Sequence, residues 1–82
     1  MKIADEIYLN VKIFDENCRE AWLDNEKTGK RIRVAQMFSK HGRWFVFDML
    51  QGLHEPCEND AISKFNLIVS VVSDNLRFLL NK

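Results

Sequence analysis

The sequence predicts an α+β domain of two layers, a four-stranded antiparallel meander packed against one C-terminal helix (ββββα). Three observations carry that expectation. Apolar and polar residues alternate with a period of two through residues 7–50. Lone glycines at 29 and 42 stand between the alternating runs, where hairpins need a residue that tolerates positive φ. From Ala61 onward the apolar spacing becomes helical.

The first strand is "IYLNVKIF", in which Ile7, Leu9, Val11 and Ile13 share one side and Tyr8, Asn10, Lys12 and Phe14 the other. The polar triplet "DEN" (15–17) turns the chain into "CREAWLDN". The stretch "EKTG" leads on to "KRIRVAQMF", and "SKHG" (39–42) to "RWFVFDML". A helical reading of 31–40 and 43–51 competes, because "RVAQMF" has fair helix propensity, but the placement of Gly29 and Gly42 favours hairpins. Residues 51–60, "QGLHEPCEND", read as a loop punctuated by Gly52 and Pro56, with Asn59 or Asp60 able to cap the helix beyond it. The helix covers 61–80. Its core arc collects Ala61, Ile62, Phe65, Ile68, Val69, Val72, Leu76, Leu79 and Leu80.

Eighty-two residues make a single domain, 1–82, in which 46% apolar and 29% charged residues are a globular composition. A chain this short buries only about 60–65% of its unfolded surface, so its core is limited. Nothing at the N-terminus, "MKIADEIY", resembles an export signal, and no apolar run is long enough to span a bilayer. A cytoplasmic protein without membrane insertion is expected, with Cys18 and Cys57 as free thiols.

Chemistry is sparse. No phosphate loop, nucleophile elbow or metalloprotease pair occurs. His54 and Cys57 are the one close pair of zinc-ligand type, with His41 and Cys18 remote, whereas structural zinc sites show paired close spacings. The acidic and nucleophilic residues of "HEPCEND" fall on one predicted loop, where nothing desolvates or orients them. No catalytic residue, cofactor or metal is assigned, and an enzyme is not expected.

Two surfaces remain for partners. The stretch "NLIVSVVSDNLRFLL" carries nine apolar residues in fifteen, more than one helix face holds. Leu67, Val71 and Phe78 lie roughly opposite the core arc and form a second stripe at intervals of four and seven. That stripe is the candidate protein interface, either with a second copy of the chain as a homodimer or with a groove on another protein. The structural alternatives are a cover by the N-terminal segment "MKIADEI" through Ile3 and Ile7, or a helix sandwiched more deeply than two layers allow. The other surface comes from charge segmentation. Residues 1–26 hold three basic and seven acidic side chains; residues 27–43 hold six basic side chains and no acid. In the predicted meander Lys30, Arg31, Arg33 and Arg43 lie near Trp22 and Trp44, with Tyr8 and Lys12 on the neighbouring strand. Aromatic planes among cations suit single-stranded nucleic acid, whose bases stack while cations follow the phosphates. A meander closed by a C-terminal helix also resembles, in layout alone, the coactivator-type single-stranded DNA-binding proteins. Against this stands the zero net charge, and a solvated face of cross-strand pairs accounts for the same residues. The leading expectation is therefore a small non-enzymatic protein that regulates or inhibits a larger protein by binding it. Its size and missing chemistry suit an accessory protein of a phage or mobile element. Nucleic-acid binding is the alternative.

Overall fold

A computed structural model describes residues 1–49 and 60–80 in full, and residues 53–57 through their backbone. The chain forms an antiparallel sheet with one helix on one face, the expected two-layer α+β arrangement. The strands are β1 (Lys2–Ala4), β2 (Ile7–Asp15), β3 (Cys18–Asn25), β4 (Arg31–Lys40), β5 (Arg43–Asp48) and β6 (Leu53–Cys57), followed by α1 (Ala61–Leu80). They lie side by side in chain order. The meander thus has six strands where four were expected.

Both additions are short edge strands. β1 is three residues long and is fixed by pairing with the start of β2, which places Ile3 in the core. β6 occupies part of the segment read as a loop, and it contains Pro56. An outermost strand tolerates proline because one row of its backbone groups has no ladder to serve.

Local chemistry sets the turns. At the β4–β5 hairpin both central residues have positive φ, His41 at 54° and Gly42 at 75°, which matches the right-handed twist of the flanking strands. The longer β3–β4 turn is held by Asn25, whose Oδ1 accepts from the backbone N–H groups of Lys27 and Thr28 at 3.0 and 3.2 Å. Gly29 supplies positive φ there, as its position predicted. Asp60 caps α1: its Oδ1 accepts from the Ser63 N–H at 3.1 Å and its Oδ2 from the Ser63 hydroxyl at 2.7 Å. Asn59, the other capping candidate, lies outside the described residues.

The β3–β4 ladder contains an irregularity that shapes both faces. Ala21 pairs with Ala35 and Trp22 with Arg33, leaving Val34 as the extra residue of a β-bulge. Val34 and Ala35 are consequently both buried beneath the helix side of the sheet. Beyond the bulge the alternation is reset, so Arg31 and Arg33 share the outer face with Gln36 and Phe38.

The core lies between the helix and the inner face, formed by Ile3, Leu9, Ala21, Val34, Ala35, Met37 and Val46 with Ala61, Phe65, Ile68, Val69 and Val72. α1 lies over β4 and β5 and reaches β1, where Arg77 Nη2 donates to the Lys2 carbonyl at 3.5 Å. The core arc is narrower than expected. Ile62, Leu79 and Leu80 are exposed, while Ser73 is buried and donates its hydroxyl to the Ser70 carbonyl at 3.1 Å. The last turn of the helix carries its apolar side chains past the packed core.

Candidate interaction surfaces

The outer stripe of α1 is an apolar row on the side away from the sheet. Leu67, Val71 and Phe78 are 64%, 44% and 68% exposed. Asp74, also exposed, falls between Val71 and Phe78, so the row reads 67–71–74–78. Intervals of four, three and four are the spacing of a helix seam that packs against another helix or a groove. The N-terminal segment, a conceivable cover, is instead built into the sheet, with Ile3 buried under the other side of the helix.

On the outer face of the sheet, register decides which of the predicted residues meet. Trp22 lies opposite Arg33, Asp24 opposite Arg31 and Glu20 opposite Gln36. Glu20 accepts three hydrogen bonds, from Trp22 Nε1 at 3.0 Å, Gln36 Nε2 at 2.9 Å and Arg33 Nη1 at 3.4 Å. Asp24 accepts from Asn10 Nδ2 at 2.6 Å and Arg31 Nε at 2.5 Å. The bond from Asn10, then that from Arg31, holds the Asp24 carboxyl below its usual range. Arg31 also lies over the Trp22 ring at 4.9 Å and Arg33 over the Phe47 ring at 5.1 Å. Phe38 and Phe45 stack with ring centres 5.3 Å apart.

This face differs from the predicted basic surface in three ways. Arg31 and Arg33 are neutralised by acids from β3 that the charge count of 27–43 leaves out. Arg43 pairs opposite Lys40 at the far end of β4, about 30 Å of strand from Arg31, so the basic segment is split between two ends of the sheet. Trp44 lies opposite Ser39 and packs half-buried against the core, on the helix side. Lys30 precedes β4 and lines a shallow cleft of about 320 Å³ whose apolar part is Ile7, Leu23 and Ile32. Tyr8 and Lys12 do belong to the outer face, opposite Asp24 and Glu20.

Sequence reasoning missed Glu20 and Asp24 as the organisers of this surface. The signal was available, because a period of two puts Glu20, Trp22 and Asp24 on one side of β3. Cys18 is free, and burial, followed by the nearby Glu20 and Asp15, pushes its thiol above the ordinary value while Arg33 offsets part of the rise. The side chains of His54 and Cys57 lie outside the described residues; among the described ones no cluster of metal-ligating side chains occurs. No described helix is long and apolar enough to cross a membrane.

No protein-family model, curated protein or solved structure matches the chain. Its surfaces are the basis for a functional reading.

Proposed function

We propose that this chain is a small non-enzymatic interaction protein, acting in the cytosol, that binds a protein partner through the outer stripe of α1 and regulates or inhibits that partner by occupying it. The observation that carries this reading is the exposure of Leu67, Val71 and Phe78 on one helical row, opposite the face that the same helix buries in the core. Each such side chain is worth about 1.5–3 kcal/mol when buried. Asp74 narrows the choice of partner. In a parallel pair of identical helices it would face its own copy, so self-association through this row runs antiparallel, and a partner presenting a lysine or arginine at that point fits better.

The nucleic-acid reading finds less support. The two arginines nearest Trp22 already have carboxylate partners, which a phosphate backbone would have to displace.

Leu67→Asp with Val71→Asp tests the proposal. Both positions face away from the core, so circular dichroism should stay native, with a cost near 0.5 kcal/mol per site. Sedimentation should show association of the unsubstituted chain, with itself or with a partner, and its loss in the variant. A monomer that captures no partner, together with an unfolded variant, would show that the stripe is part of the core.

A further inference from the structure

The edge of β2 is only partly covered by β1. Leu9 exchanges both of its backbone groups with Met1, donating to its carbonyl at 2.8 Å and accepting from its amino group at 3.0 Å. By the period of an antiparallel ladder, Val11 and Ile13 turn their N–H and C=O groups toward the same edge, while Asn10 and Lys12 turn theirs toward β3. Among the described residues no strand lies beside Val11 and Ile13 on that side. Two donors and two acceptors therefore stand in a row. Their side chains, on the helix side of the sheet, are 45% and 63% exposed. Natural edges of this kind are usually shortened, bulged or covered, because they template pairing with another chain. In β2 the bulge comes only after Ile13, at Phe14, where Ile13 pairs with Arg19 and Asp15 with Cys18.

We propose that residues 11–13 accept an extended segment of a partner protein as an added antiparallel strand, one that carries an acidic residue between two apolar ones. The hydrogen-bonding parity fixes the backbone: the residues opposite Val11 and Ile13 each exchange two bonds with β2. Side-chain alternation fixes the rest. Residues opposite Val11 and Ile13 extend the apolar inner face, and the residue between them lies opposite exposed Lys12 on the outer face. The same charge argues against a second copy as occupant. A two-fold pairing that uses both Val11 and Ile13 of each copy sets Val11 against the copy's Ile13, and this places the two Lys12 side chains directly opposite each other. The site is separate from the α1 stripe and does not depend on it.

The probe is a capped peptide, Thr-Thr-Val-Glu-Val-Thr-Thr, added to isotope-labelled protein and followed by amide exchange. The Val11 and Ile13 amides should become protected. The same peptide with lysine in place of its glutamate should bind roughly fivefold more weakly or worse. Lys12→Glu should reverse that preference. Val11→Pro should abolish protection at Ile13 with the circular dichroism unchanged, because the N–H it removes serves no bond within the fold. Should the proline variant unfold, the charge reversal still decides the matter. Leu67→Asp should bind the peptide as the unsubstituted chain does, which separates this site from the helix stripe. The proposal is overturned if neither peptide protects the two amides at millimolar concentration, or if both bind equally. It is equally overturned if the protein alone protects them by self-association.

Discussion

Neutralising Glu20 and Asp24 should turn the outer sheet face into a nucleic-acid binder, if their pairing is what keeps Arg31 and Arg33 occupied. The double substitution Glu20→Gln with Asp24→Asn keeps side-chain size and leaves twelve basic against ten acidic residues, a net charge of +2. Each amide retains one oxygen acceptor and loses the charge that holds its arginine. Both ion pairs are partly open to solvent, and such pairs are worth up to about 1 kcal/mol each, so the pair of changes should cost about 1–2 kcal/mol. A domain of 82 residues has roughly 4–12 kcal/mol to lose, so the variant should remain folded, with a lower urea midpoint and an unchanged slope. Fluorescence anisotropy with a labelled oligothymidine, repeated across salt concentrations, reads the gain. Single-strand binding loses about 0.7 log units of affinity per decade of salt for each phosphate contact, so two released arginines should steepen the slope by about 1.4. Tight binding by the unsubstituted protein, with the same slope as the variant, would refute the reasoning. So would a folded variant that binds no better than its parent.

Two further outcomes test the fold. Phe65 is fully buried at the centre of the helix–sheet contact, and Phe65→Ala should cost about 3–5 kcal/mol, read as a fall in urea midpoint large enough to populate unfolded chain. The Asp24 carboxyl is held below its ordinary 3.8, so its contribution is complete above that value and is lost as pH falls through the lower folded-state pKa. The urea midpoint should therefore drop on acidification below pH 3.8, and drop less in Asp24→Asn.

Where each element carried its own local signal, the sequence was a good guide. Alternation located β2 to β5, Gly29 marked a turn that does need positive φ, and the helix spans the predicted 61–80. What it could not show was set by pairing between distant segments. β1 has too few residues to display a period, and it exists because Met1 and Lys2 find Leu9 and Tyr8. β6 contains the proline that argues against a strand unless the strand is known to be an edge. The bulge at Val34 resets alternation within β4, so strict counting from Arg31 puts Gln36 on the wrong face. Trp44 could be grouped with the arginines only while the β4–β5 register was unknown. Of the candidate residues, the helix stripe followed from one helix's geometry and is exposed; the basic surface required a register, and it is divided and paired.

The two faces of the sheet meet their physical needs differently. Much of the outer face is satisfied internally: Glu20, Asp24, Gln36, Arg31 and the Phe38 and Phe45 rings are matched across neighbouring strands, while Lys12 at its edge stays exposed. The inner face depends on a lid. Six strands spaced about 4.8 Å apart make a sheet about 24 Å wide, and β4, with ten residues, is about 33 Å long. A single helix about 30 Å long and about 10 Å across covers only a band of that area. Val11, Ile13 and Ile32 lie on the inner face outside the band and are exposed. A second helix could cover them, but the described residues form one, and that helix carries an apolar row on its far side as well. Apolar side chains therefore stay exposed on both sides of the lid, on the inner sheet face beside it and on the far side of the helix.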